Sequence, residues 1–219
     1  MNDYITEYTI HYFPIRGLAE LPRLIMEVGG LQYKNTYPSD WPKEKSHTPF
    51  GQVPILTERH LSPRDKTTQV GHDFKLAQSG AITRYLARKV GLAGSSEQEI
   101  AMIESIYESL VDIRTHWLKA YYAADIDKPR AMDHFFHDNF INWTLFFERF
   151  LDKHSGDFIL HDRMNYADLL LFILCDSWLE YRPDILSARP SMKKVYTNVK
   201  QNPRILSYLS SDRRHKAIL

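Results

Sequence analysis

Cysteine is nearly absent: one residue, Cys175, in a chain of 219. That scarcity excludes an intrachain disulfide, a Cys-x-x-Cys redox pair and a zinc site built on cysteines. Any thiol chemistry therefore needs a thiol brought in by a ligand, or Cys175 itself. The second option is poor, because Cys175 follows the apolar run 169–174, and burial among apolar side chains raises a thiol pKa. An excess of charge of one sign is also missing. Lys and Arg number 28 against 27 Asp and Glu, too even a balance to draw in a nucleic acid or an anionic membrane. The longest apolar stretch, 167–175, is interrupted by Asp168 and falls far short of the roughly 20 residues that span a bilayer. The first eight residues are acidic and polar, without the basic and apolar segments of a secretory leader, so a cytoplasmic address is expected. Ten histidines are scattered without metal-ligand spacing, and no metal is expected.

What is present reads as a folded globular protein in two halves. Hydrophobic residues make up 43% and charged residues 25%, an ordinary balance for buried cores. Residues 8–13 are β-branched and aromatic and predict a strand. Leu18, Leu21, Leu24, Ile25 and Val28 then recur at helical spacing, with Pro22 tolerable only in a first turn and Gly29 and Gly30 as a stop. Further strands are expected at 31–37, 53–57 and 74–77, then a helix from Ser79 to about Lys89. This order predicts a small mixed sheet with helices against it. Residues 91–96 have linker composition, and beyond them the pattern is helical. Ile103, Tyr107, Leu110, Trp117 and Tyr121 mark a helix of about seven turns. Phe135, Phe136, Phe140, Trp143, Phe146, Phe147, Phe150 and Leu151 mark an aromatic one. Asn165 and Asp168, three apart ahead of an apolar run, are related to a capping box, and two short helices follow near 191–200 and 203–209. The expected domains are 1–90 for the mixed sheet, a linker at 91–100, and an all-α domain at 101–219.

Ligands of open sheets gather at strand ends and helix N-termini. Residues 12–17, which run from a strand end into a helix, form one such place. A tyrosine there more often packs than catalyses, so Tyr12 alone decides nothing. Gln78 and Ser79 open a helix after a short strand. Ser79 is a good N-cap on local grounds, and the same hydroxyl and helix N–H groups would also hold a ligand carboxylate. A proline just inside a strand start, Gln52-Val53-Pro54, suggests an unusual backbone, of which a cis bond is one form.

Together, residues 12–17, 40–42, 50–54, 78–79, 111–114, 165–168 and 181–186 resemble the cytosolic glutathione transferases, most closely the sigma class with its prostaglandin D synthase relatives. Order and spacing carry the match, which covers nearly the whole chain. The resemblance implies a thioredoxin-like first domain that binds glutathione, an all-α second domain with a hydrophobic substrate site, and a homodimer. It implies glutathione as co-substrate, with Tyr12 donating a hydrogen bond to its sulfur. Trp41 and Lys45 would hold the glycine end, Gln52 would make a polar contact, and Val53 would pair with the cysteinyl backbone. Gln78 and Ser79 would receive the γ-glutamyl carboxylate, and Asp112 would reach the γ-glutamyl amine across the dimer. Helix geometry puts Asp112 away from the apolar stripe. Ile15, Leu18 and Tyr122 are candidates for an apolar electrophile wall between the Tyr12 turn and the first long helix. The implied activity is conjugation of small hydrophobic electrophiles. A prostanoid-type isomerase and a non-catalytic, crystallin-like carrier are the alternatives. Two departures stand out: Leu18 where many sigma members carry an arginine, and a long connection at 59–72, expected as a surface loop. Arg213-Arg214-His215-Lys216 reads as a solvated tail.

Overall fold

In a computed structural model, which describes residues 4–154 and 156–216, the chain forms two units: Met1–Gly91 with Pro203–Leu219, and Leu92–Asn202. Residues 1–3, part of the N-terminal segment weighed above, lie outside the described range. The first unit holds one sheet of β1 (Ile5–His11), β2 (Tyr33–Thr36), β3 (Ile55–Leu61) and β4 (Phe74–Ala77) in the order β2-β1-β3-β4. β1 and β2 are parallel, and the other two pairs are antiparallel. This is the mixed sheet that the sequence predicts.

Side chains alternate along β1, so Tyr8 and Ile10 are buried; they stand opposite Glu58 and Leu56 of β3, which are buried too. α3 (Ser79–Lys89) packs on β3 and β4. It supplies the partners of Glu58, which accepts hydrogen bonds from the Tyr85 hydroxyl (2.5 Å) and Lys89 Nζ (3.2 Å). Tyr12 lies one step beyond β1 with the parity of Tyr8 and Ile10, and it is buried for the same reason. α1 (Glu20–Gly29) is entered through a 3-10 turn at Gly17–Ala19 and ends at Gly30, which has φ 69°. Pro22 falls in its first turn, where its missing N–H leaves no bond unmade. α2 (Trp41–Glu44) is a single turn.

Three expectations change. β3 runs to Leu61 because Ile5 pairs with it, so the long connection is partly strand; Gln69 bridges back to Leu61, and Asp65 accepts from the N–H groups of Thr67 and Thr68 to close the turn. The domain division also differs from the expected one. α9 (Pro203–Leu209) groups with the first unit because it packs on α1, where the Tyr208 hydroxyl donates to Glu20. The basic tail is docked rather than solvated: Arg213 forks onto Glu27 at 3.0 and 3.1 Å, and His215 meets the Tyr37 hydroxyl at 3.1 Å.

The second unit is helical, as expected. α4 (Glu97–Tyr121) buries Ile103, Ile106, Tyr107, Leu110, Ile113 and Trp117 on one face, and Ser96 caps it by accepting from Glu99 N–H. The aromatic segment is divided into α5 (Lys128–His134), a π-helical turn at Phe135–Asn139 and α6 (Phe140–Lys153). Phe135, Phe136 and Phe140 pack around Trp117 and Trp178 with ring centroids 5.1 to 6.4 Å apart. α7 (Tyr166–Tyr181) is almost wholly buried and opens with a complete capping box. Asn165 Oδ1 accepts from Ala167 N–H, and Asp168 Oδ2 accepts from Asn165 N–H. α8 (Pro190–Lys200) packs on α7 and α6. Among the described residues no helix is long and apolar enough to cross a membrane.

Candidate active site

A cleft of about 290 Å³ opens in the first unit, lined by Tyr12, Phe13, Leu18, Trp41, Lys45, Gly51, Gln52, Val53, Pro54, Gln78 and Ser79. Four separate stretches of sequence meet there: the end of β1 with its turn, α2 with the 3-10 turn after it, the entry to β3, and the β4–α3 junction. Lys45 is the one charged side chain among these lining residues. A cleft rich in donors and without a carboxylate favours an anionic ligand.

Tyr12 is held by its own turn. Its N–H donates to Thr36 O (3.0 Å), which ties the end of β1 to β2, and its hydroxyl oxygen accepts from Leu18 N–H (3.2 Å). Gly17 makes that approach feasible. Its φ is +42°, and a Cβ there would stand 2.6 Å from the Tyr12 hydroxyl, so only glycine fits. Phe13 stands edge-on to both Tyr12 and Trp41, with centroids 5.6 and 5.4 Å apart, and so links the turn to α2.

The opposite wall is built on two backbone features. The Val53–Pro54 bond is cis, the form suggested by the proline at the strand start. Gln78 has φ +72° and occupies the N-cap position of α3, so Ser79 is the first residue inside the helix rather than the cap expected of it. The physical reason is the abrupt passage from β4 into α3, with Gln78 the only residue left to make the turn. The Gln78 side chain makes no capping hydrogen bond, and the helix's first N–H groups have no acceptor within it, an arrangement suited to an anion. Gln78 Nε2 donates to Gln52 Oε1 at 3.1 Å, which bridges two segments far apart in sequence.

Eight of the eleven residues singled out in the sequence thus meet in one cleft: Tyr12, Leu18, Trp41, Lys45, Gln52, Val53, Gln78 and Ser79. Ile15 lies on the same turn but outside the lining, and Tyr122 is an exposed residue following α4 in the second unit. Asp112 is exposed on α4, on the side away from Ile103 and Leu110. Sequence reasoning passed over Phe13, Gly51 and Pro54 as lining residues. All three stood inside the stretches that carry the resemblance, Phe13 in 12–17 and Gly51 and Pro54 in 50–54, but none had a role of its own assigned. Among the described residues no cluster of three or more His, Cys, Asp or Glu is arranged to hold a metal ion.

Comparison with known proteins agrees with this architecture. Residues 111–212 match the family model of the glutathione S-transferase C-terminal domain. The chain is 30% identical over 210 residues to glutathione S-transferase 1 of Ascaris suum, covering 93% of this chain and 96% of that protein. It is 28% identical over 216 residues to S-crystallin 3 of Enteroctopus dofleini, covering 92% and 95%. Among solved structures, monomeric Na-GST-3, a glutathione S-transferase from Necator americanus, aligns with TM-score 0.78 at 28% identity, covering 96% of this chain and 99% of that one. The chain belongs to the glutathione S-transferase family.

Proposed function

We propose that this protein is a glutathione transferase in which the Tyr12 hydroxyl donates a hydrogen bond to the sulfur of bound glutathione and so stabilises the attacking thiolate. The observation that carries the reading is the convergence of Tyr12, Trp41, Lys45, Gln52, Val53, Gln78 and Ser79 on one donor-rich cleft. Trp41 and Lys45 hold the glycine end, Gln52 and the Val53 backbone hold the middle of the tripeptide, and Gln78, Ser79 and the start of α3 receive the γ-glutamyl carboxylate. Asp112 belongs to a homodimer in this reading and reaches the partner's ligand. Leu18, Ile15 and Tyr122 are the proposed contacts of a hydrophobic electrophile. The cytoplasmic address and the sigma-class assignment belong to the same proposal.

Energetics make the role of Tyr12 specific. A free thiol with a pKa near 8.5 is only about 3% thiolate at neutral pH. A hydrogen bond to a charged acceptor contributes roughly 1.5 to 3 kcal/mol, which lowers the thiol pKa by about one to two units. That is enough to ionise much of the ligand. The phenol serves as a neutral donor, and because its oxygen accepts from Leu18 N–H, the O–H is polarised toward its own acceptor. The positive end of α3 adds to the field around the ligand.

The test is a steady-state assay with an aryl halide, together with a pH titration of the thiolate absorbance of bound glutathione. Tyr12→Phe lowers turnover about tenfold or more and raises the bound thiol pKa. Unchanged turnover removes Tyr12 from the mechanism. The S-crystallin likeness supports a second reading, a protein that keeps the fold without the activity. Negligible turnover of several electrophiles by a protein that still binds hydrophobic dyes would favour it.

A further inference from the structure

The turn that carries Tyr12 rests on a buried ionic cluster, and the last segment of the chain completes that cluster. Arg23 is fully buried. Its Nη1 donates to the carbonyl oxygens of Ile15 (2.9 Å) and Arg16 (3.3 Å) and to Glu20 Oε2 (3.3 Å), while its Nε donates to Asn35 Oδ1 (2.9 Å). One guanidinium thereby fixes two consecutive carbonyls of the loop between Tyr12 and Gly17. Glu20, also buried, accepts from the Tyr208 hydroxyl at Oε2 (3.1 Å) and Oε1 (3.2 Å), and Arg214 Nε lies 3.9 Å from Oε1. Arg16 is itself buried and donates from Nη2 to the main-chain oxygen of Lys216 at 3.2 Å.

We infer that the C-terminal segment from Tyr208 to Lys216 is a positioning element for Tyr12. A buried carboxylate needs its donors, because an unmet charge away from water is costly. Burial pushes the Glu20 carboxyl above its ordinary range, and what holds it against that push is Arg23 from α1, Arg214 from the tail, the Tyr208 hydroxyl from α9 and Arg16, with Tyr33 also within electrostatic reach. When Tyr208 and Arg214 supply their share, Arg23 is left to grip Ile15 and Arg16. When they do not, the carboxylate pulls the guanidinium toward itself, and the grip on the two carbonyls loosens. The next residues, Gly17 and Leu18, are the ones that set the Tyr12 hydroxyl. Displacement of that hydroxyl by a fraction of an ångström weakens a directional bond to sulfur.

This inference rests on the reading of Tyr12 as the donor to the thiolate, and the test keeps the two separate. Full-length Tyr208→Phe, which keeps the ring packing and loses only the hydroxyl, is compared with the unsubstituted protein in three measurements. These are the pH titration of the thiolate absorbance of bound glutathione, KM and kcat across pH, and the thermal midpoint. The expected result is an upward shift of the thiol titration by about half a unit, seen as a roughly threefold loss of kcat in mildly acid solution that disappears in alkaline solution. KM for glutathione stays within about twofold. Arg214→Gln, at a position less buried than Tyr208, gives the same signature and serves if the tyrosine variant does not fold. A pH profile that superimposes on that of the unsubstituted protein, with only the thermal midpoint lowered, overturns the inference and leaves the segment a purely structural role. If the unsubstituted protein itself leaves the bound thiol titrating like free glutathione, the Tyr12 reading falls, and this one falls with it.

Discussion

Gly17 lies so close to Tyr12 that a methyl group on its Cα would meet the phenol oxygen at 2.6 Å and the ring carbon Cε1 at 2.8 Å. The contact is the outcome of a φ of +42° that lets the chain fold under the ring before α1 begins. Gly17→Ala therefore acts twice, through backbone strain of about 1 kcal/mol and through displacement of the ring. The expected outcome is a fall in kcat/KM of roughly tenfold or more with a modest loss in the urea midpoint. Activity equal to that of the unsubstituted enzyme would show that the hydroxyl position tolerates movement and would weaken the whole account of the site.

Gln78 poses the opposite case, a residue whose local conformation costs stability at the place where a ligand is proposed to bind. A glutamine at φ +72° pays of order 1 kcal/mol that glycine would not. Its amide meanwhile bridges to Gln52 across the cleft. Gln78→Gly is expected to raise unfolding free energy by about 1 kcal/mol while weakening glutathione binding about tenfold. Chemical denaturation and a fluorescence titration with glutathione read the two effects independently. A variant both less stable and equally able to bind would contradict the assignment.

The parts of this architecture that follow from periodicity were legible in the sequence, and those that depend on where segments meet were not. α4 was visible because its apolar positions repeat at helical spacing, and α7 because a nearly unbroken apolar run follows the cap that Asn165 and Asp168 announce. The end of β3 was not visible, because Leu61 is held by Ile5, more than fifty positions away. Ser79 looked like a cap because serine often is one. Only the backbone of Gln78, which no local propensity favours, moves the cap back by one. The convergence of Tyr12 with Gln78 and Ser79 was expected through likeness to a family, since nothing in the spacing of residues 12 and 78 brings them together. The docking of the basic tail had no sequence signal at all. Its anchors, Glu20 and Glu27, are ordinary helix carboxylates until the fold places them under it.

Cys175 is completely buried in α7, and burial, with smaller contributions from Asp176 and Glu148, pushes its thiol well above the ordinary range. The thiolate is the reactive form, so alkylation requires the helix to open. The native protein is expected to keep full turnover after exposure to iodoacetamide, with labelling of the single thiol slowed by about a thousandfold or more relative to the denatured chain. Labelling is followed by mass spectrometry and turnover in the same samples. Rapid loss of activity tied to modification at Cys175 would mean that the protein's own thiol, and not the ligand's alone, matters to the reaction.

Asp168 gives a pH dependence whose sign can be stated. Burial is the largest influence on its carboxyl, and against the pull of the Ile159 and Asn165 N–H groups it raises the pKa from 3.8 to about 7. In the unfolded chain the same group titrates near 3.9, as a free aspartate does. Between these values the folded state holds a proton that the unfolded state has released, so ionisation favours unfolding. The group's contribution is therefore fully present below about pH 4 and is lost as pH rises through about 7. Asp168→Asn cannot ionise and removes this dependence. The stability of the unsubstituted protein minus that of Asp168→Asn is expected to decline steadily across that interval and to flatten beyond it. Urea unfolding at a series of pH values measures the difference directly. A difference that grows with pH would show that the two N–H bonds, 2.8 and 2.7 Å long, hold the carboxylate ionised in spite of its burial.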